Sequence, residues 1–276
     1  MKQRILPRLL LLLLAFGMIF VLAACGKGEP SEPADASVAE SEPEEEIIEG
    51  ALVRPNLMKD LNAGIKRNND TVGWLYIPNT DINDAILQST DNDYYLRIDE
   101  DKVYDIYGSY FMDYESTPQG AYDKISRNNI IYGHSDLRDN PDGKDFSQLF
   151  RFLDADFLSE NPYIYYSTKG GDMVWQIFAV CKTHTEFRYH LGKPNEATFL
   201  WIVDEMVQRS EFILDVPVTA EDKILTLSTC MAADDYRVIV SAKLLPADKQ
   251  LAPTAEVKVN PSPKASSLKA KKRPPT

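Results

Sequence analysis

Two strand-like runs near the end of the chain, 223–230 and 237–245, constrain the fold more than any other feature of the sequence. Side chains on a strand point alternately to opposite faces. This alternation gives each run one apolar face, made of Leu225, Leu227, Val238, Val240 and Ala242. The two apolar faces coincide when the runs pair as an antiparallel hairpin, and a shift by one residue would bury the polar side chains instead. The sequence therefore predicts both the hairpin and its register.

The predicted register sets Cys230 opposite Arg237 on the polar face, at the open end of the hairpin. Directly paired residues have Cβ atoms about 5 Å apart. A cation beside a thiol favours the reactive thiolate, and a guanidinium can also stabilise the oxyanion of a tetrahedral intermediate. Catalysis would explain this pair. The alternative is that Cys230 packs as a small apolar residue and Arg237 is a surface charge, and the hairpin alone does not decide between the two.

A cysteine nucleophile needs a base, and the chain has three histidines, His134, His184 and His190. His134 ends the strand-like run 129–133 and opens a loop, which is where a scaffold usually presents a catalytic group. His184 follows a long strand, and His190 lies in a polar loop. Spacing alone does not select one of the three.

The rest of the central region also has the pattern of a mainly β protein. The other strand-like runs are 73–77, 82–88, 109–113, 129–133, 163–167 and 173–183. Turn residues separate these short runs, which is typical of a barrel or a sandwich. Helices are predicted at 56–68, at 146–153 and after Asn195, where Phe199, Val203, Met206 and Val207 form an apolar stripe.

The N-terminal segment predicts export and tethering. Basic residues precede an apolar run that ends in LAAC at 22–25, and this resembles the lipobox of bacterial lipoproteins, in which Cys25 is lipidated. The alternative is an uncleaved anchor helix, although the run is at the short limit for spanning a bilayer. Residues 1–25 are therefore assigned to a signal peptide or anchor. Both alternatives predict a location at the extracytoplasmic face of the bacterial plasma membrane.

Composition separates a catalytic domain from its flanks. Residues 26–54 are rich in Glu, Pro and Ser and are predicted to form a disordered acidic linker. Residues 55–246 form the predicted catalytic domain, and 247–276 a basic tail rich in Pro, Ser and Lys. The net charge of −12 argues against a nucleic-acid partner. Cys181, within the run 173–183, is interpreted as a packing residue.

Several motifs together resemble the class B sortases. TLSTC at 226–230, with Arg237 opening the next strand, resembles the sortase signature, and NIIYGH at 129–134 resembles its histidine motif. Further matches are at 71–75, 91–96, 108–113 and 161–164, and the helix at 195–212 resembles the helical insertion of that class. The resemblance covers 56–246, with the motifs in the family's order. It implies a closed β-barrel of about eight strands, with an N-terminal helix and a helical insertion between late strands.

The resemblance also implies a function, that of a cysteine transpeptidase. Cys230 would be the nucleophile, His134 the general acid and base, and Arg237 the residue that positions substrate and stabilises the oxyanion. Substrate-binding residues are predicted at Asn92, Leu96, Ser228 and Thr229, each of which could equally be a plain barrel residue. The implied partners are secreted proteins with a C-terminal sorting motif and an amine acceptor, either a peptidoglycan precursor or a pilin lysine.

Two other functions stay open at this point. One is a secreted cysteine peptidase that cuts peptidoglycan peptides, although such enzymes usually place the cysteine at a helix N-terminus upstream of the histidine. The other is a cell-surface lipoprotein that only binds. No metal site and no cofactor are predicted, because the Asp residues follow no cation-binding pattern.

Overall fold

The strands that the alternation predicts are present in the computed structural model. It describes residues 48–117, 124–136, 138–233 and 235–264, and these belong to one compact unit. The strands of the described part are β1 (Thr71–Tyr76), β2 (Asn83–Leu87), β3 (Phe111–Met112), β4 (Asn128–Tyr132), β5 (Tyr163–Ser167), β6 (Val174–His184), β7 (Phe212–Ile213), β8 (Ile224–Cys230), β9 (Tyr236–Leu244) and β10 (Lys258–Val259).

Eight of these strands close into a barrel in the order β1-β2-β3-β4-β8-β9-β6-β5. The pairing of β1 with β5 completes the ring, so that the barrel has no open edge. Most neighbours are antiparallel, but β2–β3 and β4–β8 are parallel pairs. Parallel strands bring their carboxyl ends to the same end of a barrel. The closed eight-stranded barrel confirms the predicted fold class.

The hairpin of β8 and β9 has the register that its apolar residues predict. Leu225 pairs with Ala242, and Leu227 pairs with Val240. All four side chains are fully buried in the main core. Burying a leucine side chain contributes roughly 1.5–3 kcal/mol. A one-residue slip would therefore lose several such contributions at once, and this fixes the geometry at the end of the hairpin.

Helices pack against the barrel strands. They are α1 (Met58–Arg67), α2 (Ala155–Glu160) and α3 (Glu196–Arg209), with 3₁₀ helices at Tyr94–Leu96 and Asp145–Leu153. The second 3₁₀ helix occupies the predicted helix at 146–153. Its fully buried residues Phe146, Leu149 and Phe152 recur every third position, and this spacing suits three residues per turn better than 3.6.

Helix α3 is the predicted helical insertion between late strands. It begins as expected, because the Asn195 side chain accepts a hydrogen bond from the Thr198 amide at 2.8 Å. Its buried stripe consists of Phe199, Ile202, Val203 and Met206. The prediction was wrong at Val207, which is 50% exposed, because Ile202 completes the stripe at the spacing of a helix.

Cys181 lies in the apolar cluster between the barrel and α3. It is fully buried, and its thiol donates to the Met206 carbonyl at 3.2 Å. Burial raises the pKa of this thiol far above its ordinary value. Cys181 and Cys230 are both free cysteines. This environment suits a packing residue, as the sequence predicts.

Residues 247–264, at the start of the predicted tail, pack against the catalytic domain. Leu251 is only 1% exposed and packs with Leu57 and Tyr163 of the domain. Its carbonyl also accepts a hydrogen bond from the Leu52 amide at 2.8 Å, so that the end of the predicted linker 26–54 is held against this segment. Strand β10 pairs with β7, and Lys264 forms an ion pair with Glu205 of α3. The packed part of the chain therefore extends beyond 246.

The predicted leader 1–25, with its Cys25, lies outside the described residues, as do 26–47 and 265–276. Within the described part of the chain, no helix has the length and apolar character needed to cross a bilayer.

Candidate active site

Cys230 and Arg237 are directly opposite each other at the end of the β8–β9 hairpin. Cys230 is the last residue of β8, and Arg237 is the second residue of β9. Cys230 is partly exposed, whereas the hairpin residues beneath it are buried. The Arg237 guanidinium donates to the Tyr236 carbonyl at 2.8 Å. The predicted pair therefore lies at the open mouth of the hairpin.

The parallel pairing of β4 with β8 brings His134 to the same end of the barrel. Tyr132 pairs with Ser228, and the Gly133 amide donates to the Ser228 carbonyl at 3.3 Å. His134 follows directly. Because parallel strands end together, the residue after β4 lies beside the end of β8, where Cys230 is.

Three hydrogen bonds connect the segment after β4 to the end of β8. The Thr229 hydroxyl donates to the Gly133 carbonyl at 2.8 Å. The Ser135 hydroxyl donates to the Cys230 carbonyl at 2.6 Å. The Ala232 amide donates to the Asp139 carboxylate at 2.6 Å. These bonds hold the backbone around the histidine and the cysteine in one arrangement.

All the predicted catalytic and substrate-binding residues line one cavity of about 330 Å³. These residues are Asn92, Leu96, His134, Ser228, Thr229, Cys230 and Arg237. The sequence did not predict the other residues of the wall, which are Phe111, Tyr132, Gly133, Thr185, Tyr189 and His190. The structure thus brings the predicted residues together, while the role of each stays a prediction.

The His134 ring has two close neighbours on one nitrogen. Its Nε2 lies 2.9 Å from the Leu96 carbonyl oxygen and 2.6 Å from Nη1 of Arg97. Burial lowers the pKa of His134; the contact with the Leu96 carbonyl raises it in part, and the charge of Arg97 lowers it further. These influences together favour the neutral imidazole.

Asn92 is fixed by hydrogen bonds on both sides of its amide. Its NH₂ group donates to the buried carboxylate of Asp113 at 2.8 Å, and its oxygen accepts from the Tyr114 amide at 3.0 Å. The Tyr132 hydroxyl donates to the same Asp113 oxygen at 2.8 Å. Asp113 therefore orients two residues of the cavity wall. One N–H and one oxygen lone pair of Asn92 take no part in these two bonds.

The segment 185–191 contributes residues that spacing did not single out. The Tyr189 hydroxyl lies 2.7 Å from the Ser228 hydroxyl, and His190 lines the same wall. The pairing of β6 with β9, in which Thr183 is opposite Arg237, places this segment beside the site, and the sequence carries no local signal for that pairing. The chain leaving β6 must therefore pass the mouth of the barrel.

Phe146 and Tyr110 pack against the backbone next to His134. The Phe146 amide donates to the His134 carbonyl at 2.9 Å, and its ring stacks on Tyr110 with centroids 4.5 Å apart. A side chain at Gly133 would collide with both rings. Asp145 directly precedes Phe146 and is therefore close to the contacts that hold the His134 loop.

Asp145→Asn is expected to stabilise the protein at pH 7.5. Burial, with the charge of Asp84, raises the pKa of Asp145 from 3.8 to about 6. Because the folded protein holds the proton of Asp145 more tightly than the unfolded chain does, this protonated carboxyl adds stability below about pH 4. The contribution is lost as the pH rises through 6. Asparagine stays neutral and tolerates the positive φ of 53°. Solvent screening limits the gain in unfolding free energy to about 1 kcal/mol, or about 3 °C in Tm.

Thermal unfolding followed by circular dichroism at pH 4.0 and 7.5 measures this gain. The matched control is Asp142→Asn, which removes an exposed carboxylate from the neighbouring loop. A gain of equal size at both pH values would show that ionisation of Asp145 is not the cause.

The described residues contain no group of three or more His, Cys, Asp or Glu side chains that could hold a metal ion. What the cavity offers chemically is a partly exposed thiol, a guanidinium on the adjoining strand and a neutral imidazole on the same wall. These are the groups that acyl transfer through a thioester requires.

Sequence comparisons identify the family. A family model described as the Sortase domain matches residues 75–245. Sortase B of Listeria monocytogenes is 38% identical over 184 residues, which cover 65% of this chain and 72% of that protein. Sortase B of Staphylococcus aureus is 32% identical, with the same coverage.

Solved structures agree with these relatives. The Staphylococcus aureus sortase B–substrate complex is similar with a TM-score of 0.61 and 30% identity, over 69% of this chain and 86% of that one. Sequence and fold thus point to the same proteins, whose chemistry is that of cysteine transpeptidases. The chain belongs to the sortase family, and within it to class B.

Proposed function

We propose that this protein cleaves a C-terminal sorting motif of secreted proteins through a thioacyl intermediate on Cys230. The acyl group is then joined to an amine, for which a peptidoglycan precursor is our first candidate and a pilin lysine the alternative. The observation that carries this proposal is the direct pairing of Cys230 with Arg237 at the mouth of a cavity that His134 also lines.

In the first step the sulfur of Cys230 attacks the backbone carbonyl carbon of the sorting motif. The thiol proton passes to His134, and His134 then gives it to the nitrogen of the leaving peptide. The C–N bond breaks, and a thioester forms between Cys230 and the N-terminal part of the substrate. In the second step an amine attacks the thioester, its proton passes through His134, and the thiol is regenerated.

The oxyanion of each tetrahedral intermediate needs hydrogen-bond donors. Backbone amides close to a nucleophile often supply them. Here the Met231 amide donates to the Tyr236 carbonyl at 3.1 Å, and the Ala232 amide donates to Asp139. Because both amides are engaged, we assign oxyanion stabilisation to the guanidinium of Arg237.

The cavity wall also suggests how the peptide is held. Leu96 supplies an apolar surface, and Asn92 supplies an amide that Asp113 already orients. The Ser228 hydroxyl forms a hydrogen bond with the Tyr189 hydroxyl, and the Thr229 hydroxyl donates to the Gly133 carbonyl. We therefore assign direct peptide contact to Asn92 and Leu96, and a supporting role to the two hydroxyls.

The proposed location is the extracytoplasmic face of the bacterial plasma membrane. The support is the sequence of the leader, whose LAAC segment at 22–25 resembles a lipobox with Cys25 as the lipidation site, the alternative being an uncleaved anchor helix. The part of the predicted acidic linker that precedes the packed residues 48–54 would let the catalytic domain reach substrates that emerge from the same membrane.

Mixing the full-length protein with a library of C-terminal sorting peptides and triglycine is expected to yield ligated products. The reason is that a thioacyl enzyme is resolved by an amine, and mass spectrometry would identify each joined sequence. The full chain is required, because Leu251 and β10 pack on the domain. Samples without triglycine are the control. Cleavage with no ligation would favour a hydrolase, and no cleavage of any peptide would contradict the proposal.

A further inference from the structure

Arg97 directly follows the 3₁₀ helix Tyr94–Leu96 and contacts the proposed general acid and base. Its Nη1 lies 2.6 Å from Nε2 of His134 and also donates to the Leu96 carbonyl at 2.7 Å. The mechanism described above does not use this arginine, and the sequence did not single it out. Its closeness to a titrating nitrogen nevertheless requires a chemical explanation.

A guanidinium has only hydrogen-bond donors, and it stays protonated in proteins. The contact with Arg97 therefore makes Nε2 of His134 the acceptor, with the ring proton on Nδ1. The Leu96 carbonyl, 2.9 Å from the same nitrogen, can only accept. It can bond to Nε2 only when that nitrogen carries a proton. The two neighbours of Nε2 thus serve the unprotonated and the protonated state of that nitrogen.

We propose that Arg97 is a positioning residue that caps Nε2 of His134 in the peptide-free enzyme and releases it when the ring takes a proton. The Leu96 carbonyl then accepts the new Nε2–H. Arg97 is an exposed side chain, so that it can turn into solvent at small cost. The cap fixes the tautomer of the neutral ring, and the carbonyl orients the imidazolium. This inference rests on the proposed role of His134.

Other titratable groups line the same cavity as the His134 ring and must be considered together with Arg97. The cavity wall also carries Tyr132, Tyr189, His190, Cys230 and Arg237. Asp145 precedes Phe146, whose amide donates to the His134 carbonyl. Of the positive groups, Arg97 is the one in hydrogen-bond contact with Nε2, and its removal should change the titration of that nitrogen directly.

The test is a pH titration of His134 by NMR in the full-length protein, solubilised in detergent and labelled with ¹⁵N at its histidines. The chain has three histidines, and His134→Gln assigns the signal. In the unchanged protein the neutral form should show its proton on Nδ1. In Arg97→Gln the protonated fraction at neutral pH should rise about three- to tenfold, because a like charge is removed.

The matched control is Arg138→Gln, which removes an exposed arginine from the loop after His134. It should leave both the tautomer and the titration midpoint unchanged. An unchanged midpoint in Arg97→Gln, or a neutral ring with its proton on Nε2, would overturn the inference. The titration needs no turnover, so its failure is distinguishable from failure of the ligation assay.

Discussion

Cys230→Ala is expected to lower transpeptidation by about 10⁴-fold or more. The thiol is the group that forms and breaks the acyl bond, and the remaining residues of the cavity can only bind and polarise a peptide. Cys230 is partly exposed at the end of β8, so that the change should leave unfolding nearly unaffected. The loss is measured by mass spectrometry of the ligated product formed from an intact sorting peptide that the unchanged protein cleaves.

The chain offers its own control in Cys181→Ala. Cys181 is fully buried against α3 and lies outside the cavity wall. Its truncation should lower the free energy of unfolding while each folded molecule keeps its turnover. If Cys230→Ala retained activity, or if Cys181→Ala abolished it in folded protein, the assignment of the nucleophile would fail.

Arg237→Gln is expected to lower kcat/KM by about 10²- to 10³-fold, which is the usual cost of removing an oxyanion donor. The effect should be large because the amides of Met231 and Ala232 already donate to other acceptors and cannot take over. Arg237→Lys should recover only part of the loss, since an ammonium cannot reproduce the planar fork of a guanidinium.

The measurement is steady-state kinetics of Arg237→Gln and Arg237→Lys with one peptide that the unchanged protein cleaves. The comparison is Arg138→Gln, which removes the same charge from an exposed position near the site. The loss should fall mainly on kcat, because the oxyanion exists only in the transition state and intermediate. A loss confined to KM would instead assign Arg237 to peptide binding alone.

The β8–β9 hairpin could be predicted from the sequence because its information is local. The alternation of Leu225 and Leu227 in one strand matches that of Val240 and Ala242 in the other, and only one register buries all four. That register also determines which residue faces Cys230. The pairing of Cys230 with Arg237 therefore followed from the apolar pattern, without knowledge of the family.

The choice of His134 among three histidines could not be made in the same way. Its position beside Cys230 depends on the parallel pairing of β4 with β8, and the long stretch 133–223 separates these two strands along the chain. Parallel pairing leaves no turn signal in the sequence, because the strands are not adjacent along the chain. The resemblance to a family supplied what the residue pattern could not.

The same lack of a local signal explains why the sequence did not predict the positions of His190 and Arg97 or the packing of residues 247–264. His190 and Arg97 lie in irregular segments, and only the folded barrel brings His190 to the cavity wall and Arg97 to the His134 ring. The packing of residues 247–264 depends on contacts with distant partners, such as Leu251 with Leu52 and β10 with β7. A segment rich in Pro, Ser and Lys has no apolar periodicity that would predict such contacts.

The account depends above all on an acyl bond to one sulfur atom. The most direct measurement is to mix the full-length protein, without any added amine, with an intact sorting peptide that it is known to cleave. The reaction is quenched in acid, and the acylated residue is mapped by mass spectrometry. The account predicts the N-terminal fragment of the peptide on Cys230, released by hydroxylamine as expected for a thioester. An acyl group on another residue, or ligation with no acylated Cys230 at any time point, would contradict it.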